Sequence, residues 1–278
     1  MTPIASDPGK ALDAPPAYLV LDTESVPDGR LLGKVKYPAE TLTDEEAVRK
    51  AQAEARASSA SGSDFLPVTF QYPVAVCILR VASDFSLQRI TCLDAPLFRT
   101  PEIVRQFWDG LARIFKANNR AKLVSFNGRG FDLPLLELAA FRYGCAAPGY
   151  FQASRNRYTG SHVDLQEWFS NFGAIRMYGG LNLLSKILGK PGKMETAGHQ
   201  VYDMHLQGKS REINDYCLCD TLDTYFIFLR TRVLTGELSL EREAEMVQNT
   251  KAWLEGKVEE NPALRLYLAN WGDWSPWP

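Results

Sequence analysis

Three groups of acidic residues stand where apolar segments of the chain end or turn. Asp22 and Glu24 follow an apolar run two residues apart, and strand geometry puts both side chains on one face. Carboxylates that close repel, so one keeps its proton unless a cation lies between them. Taken alone, Asp22-Thr23-Glu24 also reads as a strand ending in polar residues. Asp132 closes the Gly-rich stretch Val124-Ser-Phe-Asn-Gly-Arg-Gly-Phe-Asp132 where a helix begins, and by itself it reads as a helix N-cap. Tyr216 and Asp220 lie four apart on a long apolar helix and share a face. An acid buried there needs a partner or a metal, and a Tyr–Asp hydrogen bond would also serve. Carboxylate oxygens suit Mg²⁺ or Mn²⁺ rather than zinc, and no His/Cys set of tetrahedral spacing competes. Two such ions about 3.5–4 Å apart stabilise the attacking and leaving oxygens of a phosphoryl displacement. That chemistry needs acids converging from several elements and a group to orient water.

The elements that must bring them together are short. Residues 18–22 read as a buried strand closed by the turn signal Val26-Pro-Asp-Gly29. Thr43-Asp-Glu-Glu46 is a capping box opening a polar, Ala-rich helix to about residue 57, part of a surface insertion spanning about 30–66. Residues 74–82 and 87–93 read as a hairpin, and Pro101 opens a helix with apolar residues at helical spacing. A strand at 122–126 and a helix at 133–143 follow. Beyond them the chain is mainly helical: Asp164 capping a helix to 169, then 181–188, 212–234 and 239–256. The alternation predicts an α/β domain over 17–235 with a mixed sheet between helices. A loose arm (1–16) precedes it, and a C-terminal helix with a Trp/Pro-rich tail (236–278) follows.

The ordered set Asp22-x-Glu24, Asn127-x-x-x-Phe131-Asp132 and Tyr216-x-x-x-Asp220 resembles the three motifs of the DEDD superfamily of 3'–5' exonucleases, in its tyrosine subclass. The flanks Ser63-Asp-Phe-Leu-Pro67, Gly189-Lys-Pro-Gly-Lys193 and INDYCLCDTLDTY (213–225) resemble the predicted exonucleases related to the proofreading domain of family-B DNA polymerases. The likeness covers roughly 17–233. It implies an RNase H-like fold and a two-ion Mg²⁺ or Mn²⁺ site built from Asp22, Glu24, Asp132 and Asp220. Tyr216 would orient the water or the scissile phosphate. Beside that site, Thr23, Asn127, Arg129 and Phe131 are expected to meet the substrate, Arg129 through phosphate and Phe131 by stacking on a base. The implied substrate is the 3' end of a single strand, DNA before RNA. An RNA-trimming exonuclease and a catalytically silent nucleic-acid-binding module are the alternatives.

Composition bounds these readings. The chain has 278 residues, 45% hydrophobic and 23% charged, with net charge −2, which excludes wholesale disorder and bulk coating of duplex nucleic acid. Charge is uneven, with eight basic against two acidic residues over 111–160 and seven acidic against three basic over 236–260, which permits a polyanion on one face only, although solvated helix faces would give a similar count. Five cysteines without a CxxC pair fit free thiols in a reducing cytoplasm. No apolar run reaches membrane-span length and the first residues lack the pattern of a secretory signal, so a cytoplasmic location without membrane contact is expected. Any proofreading would serve a separate polymerase or repair partner. His162, His199 and His205 are too scattered for a metal triad.

Overall fold

Alternation along the first strand, β1 (Tyr18–Pro27), sets the layout of the domain. Leu19 and Leu21 point to one face of the sheet and Val20 to the other, and all three are buried. The computed structural model describes residues 14–193 and 200–276. The arm through residue 13, the stretch containing His199, and Trp277 lie outside the described residues.

β1 pairs antiparallel with β2 (Gln71–Val81), which pairs antiparallel with β3 (Leu87–Cys92). On its other side β1 runs parallel to β4 (Lys122–Ser125), and β4 runs parallel to β5 (His162–Asp164). The sheet order is therefore β3-β2-β1-β4-β5. β1 continues past Asp22 to Pro27, beyond the expected end, because Val26 is buried and residues 25–27 keep pairing with β2 after a register shift at Glu24/Ser25. Asp22 and Glu24 thus lie inside a paired strand, which holds their backbone more rigidly than a turn would. β5 escapes the sequence pattern, being three residues long with a histidine at its start.

One face of the sheet is covered by α3 (Thr100–Ala117) and α4 (Asp132–Tyr143), where Leu19, Leu21 and Val76 meet Ile103, Phe107, Trp108 and Leu136. Across the other face lies the 25-residue helix α8 (Ser210–Leu234), buried on nearly all sides. Its buried side chains include Asp220, Asp223 and Arg232 among the apolar ones. Between α4 and α8 the chain forms α5 (Leu165–Phe169), α6 (Gly180–Ile187) and α7 (Val201–Leu206).

The region read as a surface insertion holds two helices, α1 (Gly29–Val35) and α2 (Asp44–Ser58). α1 carries two glycines, which hid it from a propensity reading. The Thr43–Glu46 capping box opens α2, and Ala47, Val48 and Ala51 give it a small buried stripe that composition alone understates. At the C-terminus, α9 (Leu240–Glu255) and α10 (Ala263–Ala269) send Met246, Leu254, Leu264 and Tyr267 into the same core as α8. The residues after α10 fold back: Gly272 N–H donates to the Gly189 carbonyl at 2.7 Å, and the Trp271 ring packs edge-on against Phe226. Among the described residues no helix is long and apolar enough to cross a membrane.

Tyr267 anchors this C-terminal layer, its hydroxyl donating to Asp223 Oδ1 at 2.7 Å. Asp223 is 1% exposed, and burial pushes its pKa up to about 6 against the opposing pull of this hydrogen bond. Tyr267→Phe should therefore cost about 1–3 kcal/mol in urea unfolding at neutral pH, the penalty for leaving a buried charged acceptor short of a donor. Unchanged stability would show that the pair does not hold the layer.

Candidate active site

The carboxylates gather at the end of the sheet where the parallel strands terminate. Asp22 and Glu24 leave β1 on the face covered by α8, and Cys217 Sγ donates to the Asp22 carbonyl at 3.3 Å, fixing the helix against the strand. One turn further along α8, Asp220 enters the same space. Ligand oxygens of Asp22, Glu24 and Asp220 all lie within 4.8 Å of one another. These residues are separated by up to 198 positions in sequence, and only the pairing of α8 with β1 brings them together.

Asp132 approaches from the other face. It begins α4, and Thr23, pointing opposite to its neighbours on β1, donates its hydroxyl to Asp132 Oδ1 at 2.6 Å. Asp132 stands outside the compact trio, although its charge reaches both Asp22 and Glu24. Thr23, expected at the substrate, therefore has its hydroxyl committed to positioning an acid.

The loop before Asp132 is shaped by Asp164. Its carboxylate accepts from Asn127 N–H at 3.0 Å and Arg129 N–H at 2.8 Å while also capping α5 through Gln166 and Glu167. Asn127 adopts a left-handed φ of 64°, and its side chain is exposed. Gly128 is required for space: a Cβ there would sit 2.1 Å from Ser125 Oγ and 3.4 Å from Asp132 Oδ2. The Arg129 guanidinium is engaged inside the protein. Its Nη2 donates to the His162 carbonyl at 3.0 Å and its Nε lies 3.2 Å from Glu167 Oε2 without hydrogen-bond alignment, so it braces the loop from inside. His162 Nε2 shares a hydrogen bond with Ser125 Oγ at 2.7 Å, and burial, then the Arg129 charge, hold its pKa down to about 3, so it stays neutral.

Two features were not assigned from sequence. Phe65, 57% exposed, places its ring 5.5 Å from that of Phe131 at the rim. Lys193 is the cation whose charge opposes the acids, lowering Glu24 and Asp220. Its backbone N–H is held by Asn182 Oδ1 at 2.8 Å. The flanking segments 63–67 and 189–193 stood out in sequence, but nothing in their composition says that they border the acids.

The electrostatics follow from burial and crowding. Burial first, then the neighbouring negative groups, push Asp22 and Glu24 well above the usual carboxylate range. Asp220 is raised to about 7 by burial and then by Asp223, opposed by Tyr216 and Lys193. Asp132 also rises to about 7 through burial, opposed by its bond from Thr23. Burial, then Asp220, Glu24 and Asp22, push the Tyr216 phenol far up, so it remains a donor. Three oxygen-donor groups this close, each disfavoured as a lone anion, match what a hard divalent cation requires.

A mixed sheet in this order, with acids from its central strand and from a helix crossing it, is an RNase H-like exonuclease fold. Over residues 63–271 the chain matches the family described as predicted 3'-5' exonuclease related to the exonuclease domain of PolB, and it belongs to that family. The matched stretch contains Asp132, Tyr216 and Asp220, while Asp22 and Glu24 precede it and join them through the fold. No curated protein matches the chain.

Acids whose pKa is raised on folding bind protons more tightly in the native state, so metal-free stability falls as pH climbs from about 4 to about 7. Asp220→Asn removes one of them. In EDTA its melting temperature should equal the parent's near pH 4 and exceed it by at least about 2–4 °C at about pH 8, the shift that about 1 kcal/mol produces in a chain of this size. A variant less stable than the parent at the higher pH would show that Asp220 is held as a favourable anion.

Proposed function

We propose that the chain is a metal-dependent 3'–5' exonuclease of the tyrosine subclass, hydrolysing phosphodiester bonds at the 3' end of single-stranded DNA. The observation that carries this reading is the convergence of Asp22, Glu24 and Asp220 within 4.8 Å, with the Tyr216 phenol beside Asp220. The trio would hold one Mg²⁺ or Mn²⁺, and Asp22 with Asp132 would serve a second. When bound, such ions activate water and neutralise charge developing on the phosphate.

The chain's own groups supply positioning. Tyr216 keeps its proton, so its hydroxyl acts as a donor that orients water or a phosphate oxygen without adding negative charge. Thr23 holds Asp132 in place, and Lys193 offers a cation near Glu24 and Asp220 to meet the approaching phosphate. Phe131 and Phe65 form an aromatic rim on which a terminal base can stack, a contact contributing about 1–3 kcal/mol per base. On either side of β5 in the chain, Tyr158, Phe172 and Tyr178 are exposed, with Arg157 over the Phe172 ring and Arg176 over Tyr178. Aromatic faces interleaved with arginine suit unpaired bases and their backbone better than a duplex. DNA is favoured over RNA through kinship with a polymerase exonuclease domain.

The direct test uses 5'-labelled DNA and RNA oligonucleotides, single- and double-stranded, with Mg²⁺, Mn²⁺ or EDTA. Stepwise shortening of single-stranded DNA from its 3' end with either ion is expected. EDTA should abolish it while leaving the chain folded, because the hydrophobic core does not depend on ions; global unfolding in EDTA would point to a structural metal instead. Preferred shortening of RNA would move the assignment to an RNA-trimming enzyme, and no shortening of any strand would leave a binding module.

Tyr216→Phe should lower turnover by about 10²–10³ while leaving metal affinity near the parent's, as removal of one preorganised donor does. If the phenol only supports Asp220 structurally, the same change should instead cost about 1 kcal/mol of stability and little rate.

A further inference from the structure

Unpaired arginines gather on the sheet face turned away from the carboxylates. Arg80 on β2 and Arg89 on β3 are direct cross-strand partners, and Arg113 on α3 lines the same cavity wall as Arg80. Like charges opposed across a strand pair destabilise it. Among the described residues none of the three has an acidic partner. Burial, then Arg89 and Arg113, push the Arg80 guanidinium below its usual range.

Beside them opens a cavity of about 260 Å³ walled by Leu19, Leu21, Phe107 and Leu111. Two further features make it more than an incidental gap. Thr91, on its wall, keeps a buried hydroxyl with no hydrogen-bond partner. Gly110 sits inside α3 at the cavity, where a helix interior disfavours glycine by about 1 kcal/mol relative to alanine. A Cβ there would meet nothing nearer than Arg113 Nη2 at 4.0 Å, so backbone packing does not demand the glycine. Its consequence is open space.

We infer that this cavity binds a small phosphate monoester bearing one flat, largely apolar group, of the size of a nucleoside monophosphate. The Arg80 and Arg113 guanidiniums on its wall take the phosphate, which matches their fork of donors. The apolar walls take the ring, and the Thr91 hydroxyl meets its polar edge. The volume lies just under the roughly 300 Å³ at which small-molecule sites begin, so the ligand is a single nucleotide unit rather than a polymer. The sheet separates this site from Asp22, which pairs with Cys77 on the α8 side, and binding here does not depend on the nuclease reading.

Calorimetric titration of the full chain in EDTA, which keeps divalent ions out of the carboxylate site, tests the inference with three probes: adenosine 5'-monophosphate, adenosine and inorganic phosphate. The monophosphate should bind one to one and more tightly than either part alone. Arg80→Gln and Arg113→Gln should each weaken it by about tenfold or more, the loss of a charge-assisted hydrogen bond. Gly110→Leu should block the monophosphate while sparing inorganic phosphate, with Gly110→Ala as the milder filling if the larger residue prevents folding. Asp22→Asn should leave every affinity unchanged. Absence of monophosphate binding, or binding indifferent to Arg80→Gln, would overturn the inference. So would competition by an oligonucleotide lacking terminal phosphates, which would mark the arginines as a contact for nucleic-acid backbone.

Discussion

Mutual repulsion among buried carboxylates is the constraint around which this domain is arranged. Asp22, Glu24, Asp132 and Asp220 are each pushed toward the protonated form by burial, and the first two also by the charges of Asp132 and Asp220. Left to relax, such groups would turn to solvent or move apart. They are held instead by a paired central strand, by a helix buried on nearly every side, and by the Thr23 hydroxyl that fixes Asp132. Rigidity in these supports is what allows an unfavourable cluster to persist, at a cost that a bound cation would offset.

The supports form a chain of dependence. Gly128 gives Ser125 and Asp132 room, Asp164 holds the backbone of that loop, and Arg129 braces it against Glu167 and the His162 carbonyl. On the opposite side, Cys217 ties α8 to the Asp22 carbonyl, and the α10 layer reaches the same helix through Tyr267 and Asp223. Residues far from the chemistry thereby set the spacing of acids that are separated by most of the chain. A small shift of α8 along β1 would separate Asp220 from Asp22 and Glu24, which is why so much of that helix is buried.

What could be read in the sequence follows from where physical signals are local. The capping box at Thr43, the apolar stripe of α3 and the i, i+4 pairing of Tyr216 with Asp220 depend on neighbours only, and they lie where expected. The length of β1, the three-residue β5 and α10 depend on tertiary pairing and packing, so composition did not show them. Site residues divide in the same way. The acids announce themselves because a carboxylate at the edge of an apolar element needs a reason. Thr23 and Arg129 were expected to face substrate, yet their partners Asp132 and Glu167 stand 109 and 38 positions away in sequence. Phe65 and Lys193 reach the rim through loops whose paths no periodicity encodes.

A cluster of raised acids is either a site for divalent cations or a permanently protonated polar core, and protons distinguish the two. Because their pKa values are raised, a cation can bind only by displacing protons. Calorimetric titration of Mn²⁺ at about pH 6.5, in buffers of different ionisation enthalpy, measures those protons directly. A cation site gives saturable binding with release of about one proton or more, and loses both signals in Asp22→Asn. Binding without proton release, or binding unchanged in that variant, would contradict it.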